Sequence, residues 1–352
     1  MSFFDSIKGL FDKDRQNFID VVIPTERVDR SLETPAIQAG LHYFRIWMPS
    51  MFLKKEVAWF STLYPAVHSL VKLTFGDNQV ELPNIADSTK LGIQPKGGQG
   101  DVISKNYLLL PTMPFNGGVV SLVTGLVAVT GENYLNNFIR TLGSFADLLA
   151  VPQLSAALKV AGPLTAGIQD LFGQGNGRLH LGYTRTFAAA DLVAGYYAVL
   201  RAKQGELDPK YLSVKEERLL YKGEPLTGFD HLLLRIEVFS ERDDWDQLTS
   251  INAPFKAALR ALQTQDELKA NMEIVAAIRA AYEAPELSRA HQQVVIRELK
   301  SRYQQAKNDF LLSGLGETTM PTTLAGVMKG MAVNKDILDR PRMSLTDAMT
   351  FG

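Results

Sequence analysis

The chain has 352 residues, no cysteine, and 37 Lys and Arg against 38 Asp and Glu. The lack of cysteine excludes disulfides, thiolate zinc sites and cysteine nucleophiles, and the balanced charge gives no global field that would attract nucleic acid or an anionic membrane. A chain of this length buries about 75% of the surface that its unfolded form exposes, which allows a large core or two domains.

Residues 1–40 are expected to form an amphipathic helix followed by a linker. Within residues 2–12, apolar side chains fall within an arc of about 120° on a helical wheel. These side chains are Phe3, Phe4, Ile7, Leu10 and Phe11. Acidic and basic residues balance on the polar face, so protein docking is favoured over contact with anionic lipid. The same charges interrupt the apolar run that a secretory signal needs, and we expect a cytoplasmic protein.

Residues 41–240 predict a β-rich core. Apolar and polar side chains alternate in short runs, most clearly in residues 231–239. Residues 106–131 carry no charge and are long enough to span a bilayer, but their prolines, glycines and β-branched side chains favour buried strands. Residues 83–101 are expected to form a loop, and residues 133–172 a helical insertion. The predicted fold is α+β, with an antiparallel β-sandwich-like core at about residues 41–240 and a helical C-terminal region.

Residues 245–312 predict helices, and residues 313–352 an extended tail. Pro254 and Pro285 are each expected in the first turn of a helix. Between them, an apolar row predicts a helix over residues 266–282. This row contains Leu268, Met272, Val275, Ile278 and Tyr282. The tail is rich in Gly, Thr and Met, and its methionines are predicted to bind partners because methionine adapts to irregular grooves. These residues are Met320, Met328, Met331, Met343 and Met349.

The usual sequence signatures of catalytic and metal sites do not occur. The glycine-rich residues 95–101 lack the Gly-Lys-Ser/Thr ending of a phosphate loop. The glycine-rich residues 173–177 come before a predicted strand, whereas the glycines of a dinucleotide-binding fingerprint come after a strand. The histidines, which are His42, His68, His180, His231 and His291, lack the helical spacing of a metal site. Asp243, Asp244 and Asp246 are interpreted as a helix N-terminus rather than a cation site. We therefore expect no catalytic residue, no cofactor and no metal.

The resulting hypothesis is a non-catalytic interaction or assembly protein, a scaffold or adaptor, whose terminal segments dock on partner subunits or on other copies of the chain. One alternative is a membrane-surface or lipid-binding β-sandwich effector, because the N-terminal helix is amphipathic. A second is a hydrolase whose triad forms only in three dimensions, with His68, His180 or His231 as the base. Nucleic-acid binding is not expected, because the last, mildly basic helix has no aromatic stacking platform.

Overall fold

A computed structural model describes residues 18–30, 36–52, 63–75, 78–87, 102–130, 177–203 and 205–313. The chain divides into two compact units, Met1–Phe239 and Ser240–Gly352. Strands dominate the described part of the first unit and helices that of the second, so the predicted α+β class is confirmed. The predicted helical insertion at residues 133–172 lies outside the described residues. Within the described ranges, every helix is too short or too polar to cross a membrane.

The strands of the first unit form three antiparallel sheets. A five-stranded sheet has the order β1-β8-β12-β2-β5, a four-stranded sheet the order β4-β3-β6-β7, and a small sheet the order β11-β10-β9. The bounds are β1 Phe18–Ile23, β2 Tyr43–Phe52, β3 Leu63–Phe75, β4 Asn78–Asp87, β5 Val102–Pro114, β6 Val120–Thr130, β7 Gly177–Phe187, β8 Gly195–Arg201, β9 Leu212–Lys215, β10 Arg218–Tyr221, β11 Glu224–Pro225 and β12 His231–Phe239.

Both faces of the five-stranded sheet are covered by apolar side chains. On β12, Leu232, Leu234 and Ile236 belong to a core that also takes side chains from the four-stranded sheet. Leu233 points the other way, because successive strand residues alternate, and packs in a second core shared with the small sheet. The core common to the two larger sheets is compatible with the predicted sandwich-like packing. Burial on both faces explains why the sequence of β12 contains consecutive leucines.

Two strands occupy segments that were predicted to be irregular. β1 lies in the predicted linker and pairs with β8 along its whole length. β4 continues to Asp87, inside the predicted loop of residues 83–101. Pro83 is tolerated there because β4 is an edge strand, where a missing N–H leaves no neighbour unpaired. The linker and loop predictions are wrong at these positions.

The second unit contains three helices, α1 Thr249–Gln263, α2 Glu267–Glu283 and α3 Arg289–Ser313. The Asp266 side chain caps α2 by accepting a hydrogen bond from the Lys269 N–H at 3.0 Å. Pro254 lies inside α1 rather than in its first turn, because the helix already begins at Thr249. α3 begins after Pro285, at Arg289, so the predicted start of this helix is also wrong.

Candidate functional site

The residues predicted to bind partners cannot be placed in this structure. All of them lie outside the described residues: Phe3, Phe4, Ile7, Leu10, Phe11, Met320, Met328, Met331, Met343 and Met349. Their role stays a prediction. A different apolar surface is present among the described residues, on α2.

The helix α2 has two apolar faces on opposite sides. One face is buried in the helical core and contains Ala270, Ile274, Ala277, Ile278 and Ala281. On the other side, Leu268 is 75% exposed and Met272 is 67% exposed. Val275 is half-buried and Ala276 is exposed, and both continue the same row at helical spacing. We call Leu268, Met272, Val275 and Ala276 the α2 stripe.

The structure divides the predicted apolar row of this helix between core and solvent. Of that row, Ile278 is buried, Val275 and Tyr282 are half-buried, and Leu268 and Met272 face solvent. The face that packs is made largely of alanines. Small side chains let neighbouring helices approach closely, and a search for large apolar residues misses them. The signal that identifies the stripe is the presence of two apolar rows on one helix, of which only one can face the core.

The C-terminal half of α3 lies beside the N-terminal end of α2. The Tyr303 hydroxyl donates a hydrogen bond to Asn271 Oδ1 at 2.9 Å. The Lys307 Nζ lies 3.7 Å from Glu267 Oε1. Ser313 follows Lys307 by about 9 Å along the helix axis, at 1.5 Å per residue. The chain therefore leaves α3 near the end of α2 that carries Leu268.

The chemistry of the stripe suits an apolar partner. Complete burial of a leucine or methionine side chain is worth about 1.5–3 kcal/mol, so the two exposed side chains are strong potential anchors. Polar residues such as Lys269 and Glu273 border them on the same helix. An apolar row with polar borders is the arrangement that helix-in-groove recognition uses.

A polar cluster near a shallow cleft is the strongest alternative site. The cleft has a volume of about 370 Å³, and its lining includes Arg201, Lys203 and Asp230. The His180 Nε2 lies 2.7 Å from Asp230 Oδ2, and Arg201 Nη1 lies 2.8 Å from His180 Nδ1. Arginine can only donate, so Nδ1 accepts and the Nε2–H donates to Asp230. The cluster thus connects β7, in the four-stranded sheet, to the end of β8 and the start of β12 in the five-stranded sheet.

The structure describes the surroundings of only one of the other two histidines named for a triad. His231 Nδ1 lies 3.0 Å from the Phe229 carbonyl oxygen, and its ring stacks on Phe52 with centroids 5.7 Å apart. Burial lowers the pKa of His231 to about 4. His68 lies in β3, but its side chain is outside the described part of the structure. His180 and His231 are both buried, and each contacts a group from another part of the chain.

Of the three aspartates after β12, Asp246 lies in the first turn of a short 3-10 helix, as predicted for a helix N-terminus, but Asp244 makes a different contact from the predicted one. Asp244 occupies the N-cap position of a short 3-10 turn, Trp245–Gln247, but its side chain makes no capping hydrogen bond. It binds the buried Arg242 instead, through Nε–Oδ1 at 2.5 Å and Nη2–Oδ2 at 2.8 Å. The capping interpretation is therefore wrong for Asp244. Within the described ranges, no three acidic, histidine or cysteine side chains converge in a way that could hold a metal ion.

Comparison with known proteins identifies no relative. No protein-family model matches the chain, and neither a curated protein nor a solved structure is similar to it. Function must therefore be inferred from the geometry of this chain.

Proposed function

We propose that this protein is a non-catalytic interaction or assembly protein, a scaffold or adaptor that docks on partner subunits. The observation that carries the proposal is the α2 stripe, where Leu268 and Met272 face solvent opposite the buried face of the helix. Single exposed apolar residues are ordinary, but an aligned pair with apolar continuation on one helix is typical of a docking surface. A cytoplasmic location is part of the same proposal.

Docking would proceed by burial of the stripe in an apolar groove or against an apolar segment. Each factor of ten in affinity corresponds to about 1.4 kcal/mol, so partial burial of Leu268 and Met272 is enough to select a partner. Methionine tolerates differently shaped partners because its side chain is flexible and polarizable. The apolar residues that the sequence predicts to bind partners, within residues 2–12 and 313–352, are the proposed matching surfaces on a neighbouring subunit.

The stripe favours protein docking over the lipid-binding alternative. An interfacial membrane helix gains affinity from lysines and arginines on its polar face. On α2, Lys269 and Arg279 are offset by Glu267, Glu273 and Glu283. A helix face without excess positive charge has little attraction for anionic lipid. Docking in an apolar groove of a protein does not require such a charge.

The experiment is light scattering after size exclusion, across a range of concentrations. Four proteins are compared: the full chain and a chain ending at Ser313, each with the native stripe and with L268E/M272E. We expect that at least one of the two proteins with the native stripe will have a mass greater than that of the monomer. In that protein, L268E/M272E should reduce the measured mass to that of the monomer. Because both side chains are exposed, the double substitution should leave folding intact.

The matched control is Q304E/Q305E, which adds the same two negative charges at exposed positions of α3. This variant should keep the native mass. Monomeric mass for both lengths at every concentration would contradict the proposal. So would an assembly that L268E/M272E leaves unchanged, since that assembly would not use the stripe.

A further inference from the structure

The α2 stripe leaves Leu268 and Met272 exposed, and a row of charged and small side chains runs beside them on the same helix. We propose that α2 of a second copy of this chain covers the stripe, in an antiparallel pair whose two-fold axis passes Ala276. This inference rests on the proposed function and deepens it, because it names one partner surface and the register in which the stripe meets it.

The row beside the stripe consists of Lys269, Ala276 and Glu283, and we call it the charged row. Its members recur at i, i+7 and i+14, a spacing that drifts by only about 20° per step around a helix. All three side chains are exposed, and Ala276 also belongs to the stripe. At a rise of 1.5 Å per residue, Lys269 and Glu283 lie about 10 Å before and after Ala276.

The arrangement of charges about Ala276 favours a second copy in the antiparallel direction. With a two-fold axis at Ala276, residues equally far before and after it in the two copies lie opposite each other. Each Lys269 then lies opposite a Glu283. By the same rule, each Arg279 lies opposite a Glu273. A parallel pair would place each of these charges against its own copy, and like charges in contact are unfavourable.

The ends of the charged row are available for these pairs. In the part of the chain that the structure describes, neither the Lys269 nor the Glu283 side chain has an ion-pair partner, and the ion pair between α2 and α3 uses Glu267 instead. Exposed ion pairs add little to affinity. Their effect is to select the direction and register of the two helices.

The affinity of the pair comes from its apolar side chains. Met272 lies one turn before the axis, so it packs against Ala276 and Ala280 of the second copy, and Leu268 extends the contact. Ala276 is exposed and Ala280 is half-buried. Because these side chains are small, the two helices can approach to about 8 Å between their axes.

The test uses the absence of native cysteine, because each single variant of the full chain then has one thiol. K269C, A276C and E283C are oxidised separately, and K269C and E283C are also oxidised as an equimolar mixture. Disulfide-linked peptides are identified by mass spectrometry. The control mixture is Q305C with E283C, since Gln305 is an exposed residue of α3.

We expect the mixture of K269C and E283C to link at least about tenfold faster than either variant links to itself, and than the control mixture links. In the antiparallel pair, the two copies of residue 269 lie about 21 Å apart along the helices, whereas a disulfide needs Cα atoms within about 7 Å. A276C should link to itself, because its two copies meet at the axis.

The charge pairs are tested by light scattering of the variants K269E and K269E/E283K. K269E places like charges opposite each other and should raise the concentration at which half of the chain is paired by about threefold or more. K269E/E283K places opposite charges together again and should restore the native value. Equal values for the three proteins would overturn the proposed register. Both variants change exposed side chains only, so folding is preserved.

Other outcomes distinguish failure of the inference from failure of the proposed function. Self-linking of K269C that is faster than linking in the mixture would show a parallel pair. Assembly that L268E/M272E abolishes, but that forms no disulfide between K269C and E283C, would overturn the α2 pair and leave docking on another segment of the neighbouring subunit standing. A chain that stays monomeric at every concentration and forms no disulfide would overturn both.

Discussion

Each unit of the protein buries a neutral imidazole. Burial lowers the pKa of His231 to about 4, against opposing effects of the Phe229 carbonyl and Asp230. Burial also lowers the pKa of His291 to about 4, and the positive charge of Arg242 adds to this effect while Asp244 opposes it. Both rings are almost completely inaccessible to solvent. Protonation of either ring is therefore coupled to unfolding of the unit that contains it.

The pH dependence follows from the sign of these shifts. A histidine with a lowered native pKa binds its proton first in the unfolded state, so stability is retained above the ordinary value of about 6.5 and lost as pH falls towards 4. At pH 5 each histidine should reduce the free energy of unfolding by about 2 kcal/mol relative to pH 8. Urea denaturation of the full chain followed by circular dichroism would measure the loss.

The variant His291→Asn provides the matched comparison. Asparagine keeps an acceptor for the Arg242 N–H, which contacts His291 Nδ1 at 3.4 Å, but cannot gain a proton. The helical unit of this variant should show a flatter pH profile between pH 7 and pH 5. An unchanged profile would mean that His291 does not carry the acid sensitivity.

The cluster of His180, Asp230 and Arg201 is expected to stabilise the first unit. Removal of the acceptor of a buried hydrogen bond leaves its donor unsatisfied and costs about 1–3 kcal/mol. Asp230→Ala should therefore lower the melting temperature strongly, because His180 Nε2–H and Asp230 are both buried. The control is Asp208→Ala, which removes an exposed carboxylate that pairs with Lys210 Nζ at 2.7 Å and accepts from the Lys210 N–H at 3.1 Å, and which should cost less stability than Asp230→Ala. Equal effects of the two substitutions would exclude a structural role for the cluster.

At the scale of elements, a charged network joins β2 to β12. The Glu237 carboxylate accepts hydrogen bonds from Arg45 Nε and from Trp47 Nε1, the latter at 2.9 Å. Arg235 Nε lies 3.0 Å from Glu237 Oε1, close enough to form an ion pair although not aligned for a hydrogen bond. Burial alone would raise the pKa of Glu237, but the hydrogen bonds and positive charges of Arg45 and Arg235 lower it overall.

We expect Glu237→Gln to destabilise the five-stranded sheet by about 1–3 kcal/mol, because Arg45 and Arg235 lose the charge that compensates them. A lowered carboxyl pKa contributes stability above its ordinary value that is lost as pH falls, so the difference between variant and native protein should shrink below pH 4. Thermal denaturation at pH 7 and at pH 3.5 measures both effects. A difference that stays constant across these pH values would show that the charge of Glu237 does not matter.

The elements also show what local sequence signals can predict. β12 was predictable because its alternation has the period of a strand, and the start of α2 because Asp266 is a good N-cap. The β9–β10 hairpin was not, because Glu216 and Glu217 occupy its turn with positive φ angles of 50° and 62°. Such turns normally carry Asn or Gly. Here the Glu216 N–H donates to Asp29 Oδ2 at 2.7 Å, a contact that only the folded chain supplies.

At the scale of the whole molecule, contacts between segments that are distant in the sequence could not be predicted from the sequence. His180 meets Asp230 across 50 positions of sequence and from a different sheet. His231, the sequence neighbour of Asp230, instead contacts the Phe229 carbonyl oxygen and the Phe52 ring. The fold class was predictable because it depends on periods within segments. The candidate surface was not, because the choice between the two apolar rows of α2 depends on how α1 and α3 pack against it.

The cores of the two units allow one prediction about the molecule as a whole. In the described part of the chain, the helical core contains only residues after Phe239, and the two β-sheet cores contain only residues before it. A fragment of residues 240–352 should therefore fold alone, since its apolar side chains find their partners within the fragment. Circular dichroism should show a helical spectrum and a cooperative thermal transition.

Substitutions in the same fragment distinguish the residues that stabilise its fold from the residues that are proposed to dock. L268E/M272E changes exposed side chains and should leave the transition of the fragment unchanged, whereas Ile274→Ala removes buried methyl groups and should cost about 2–5 kcal/mol. If the fragment is unfolded, its helices depend on the first unit and the two cores are not independent. If L268E/M272E unfolds it, the stripe is part of the fold, and the surface proposed for docking must lie elsewhere.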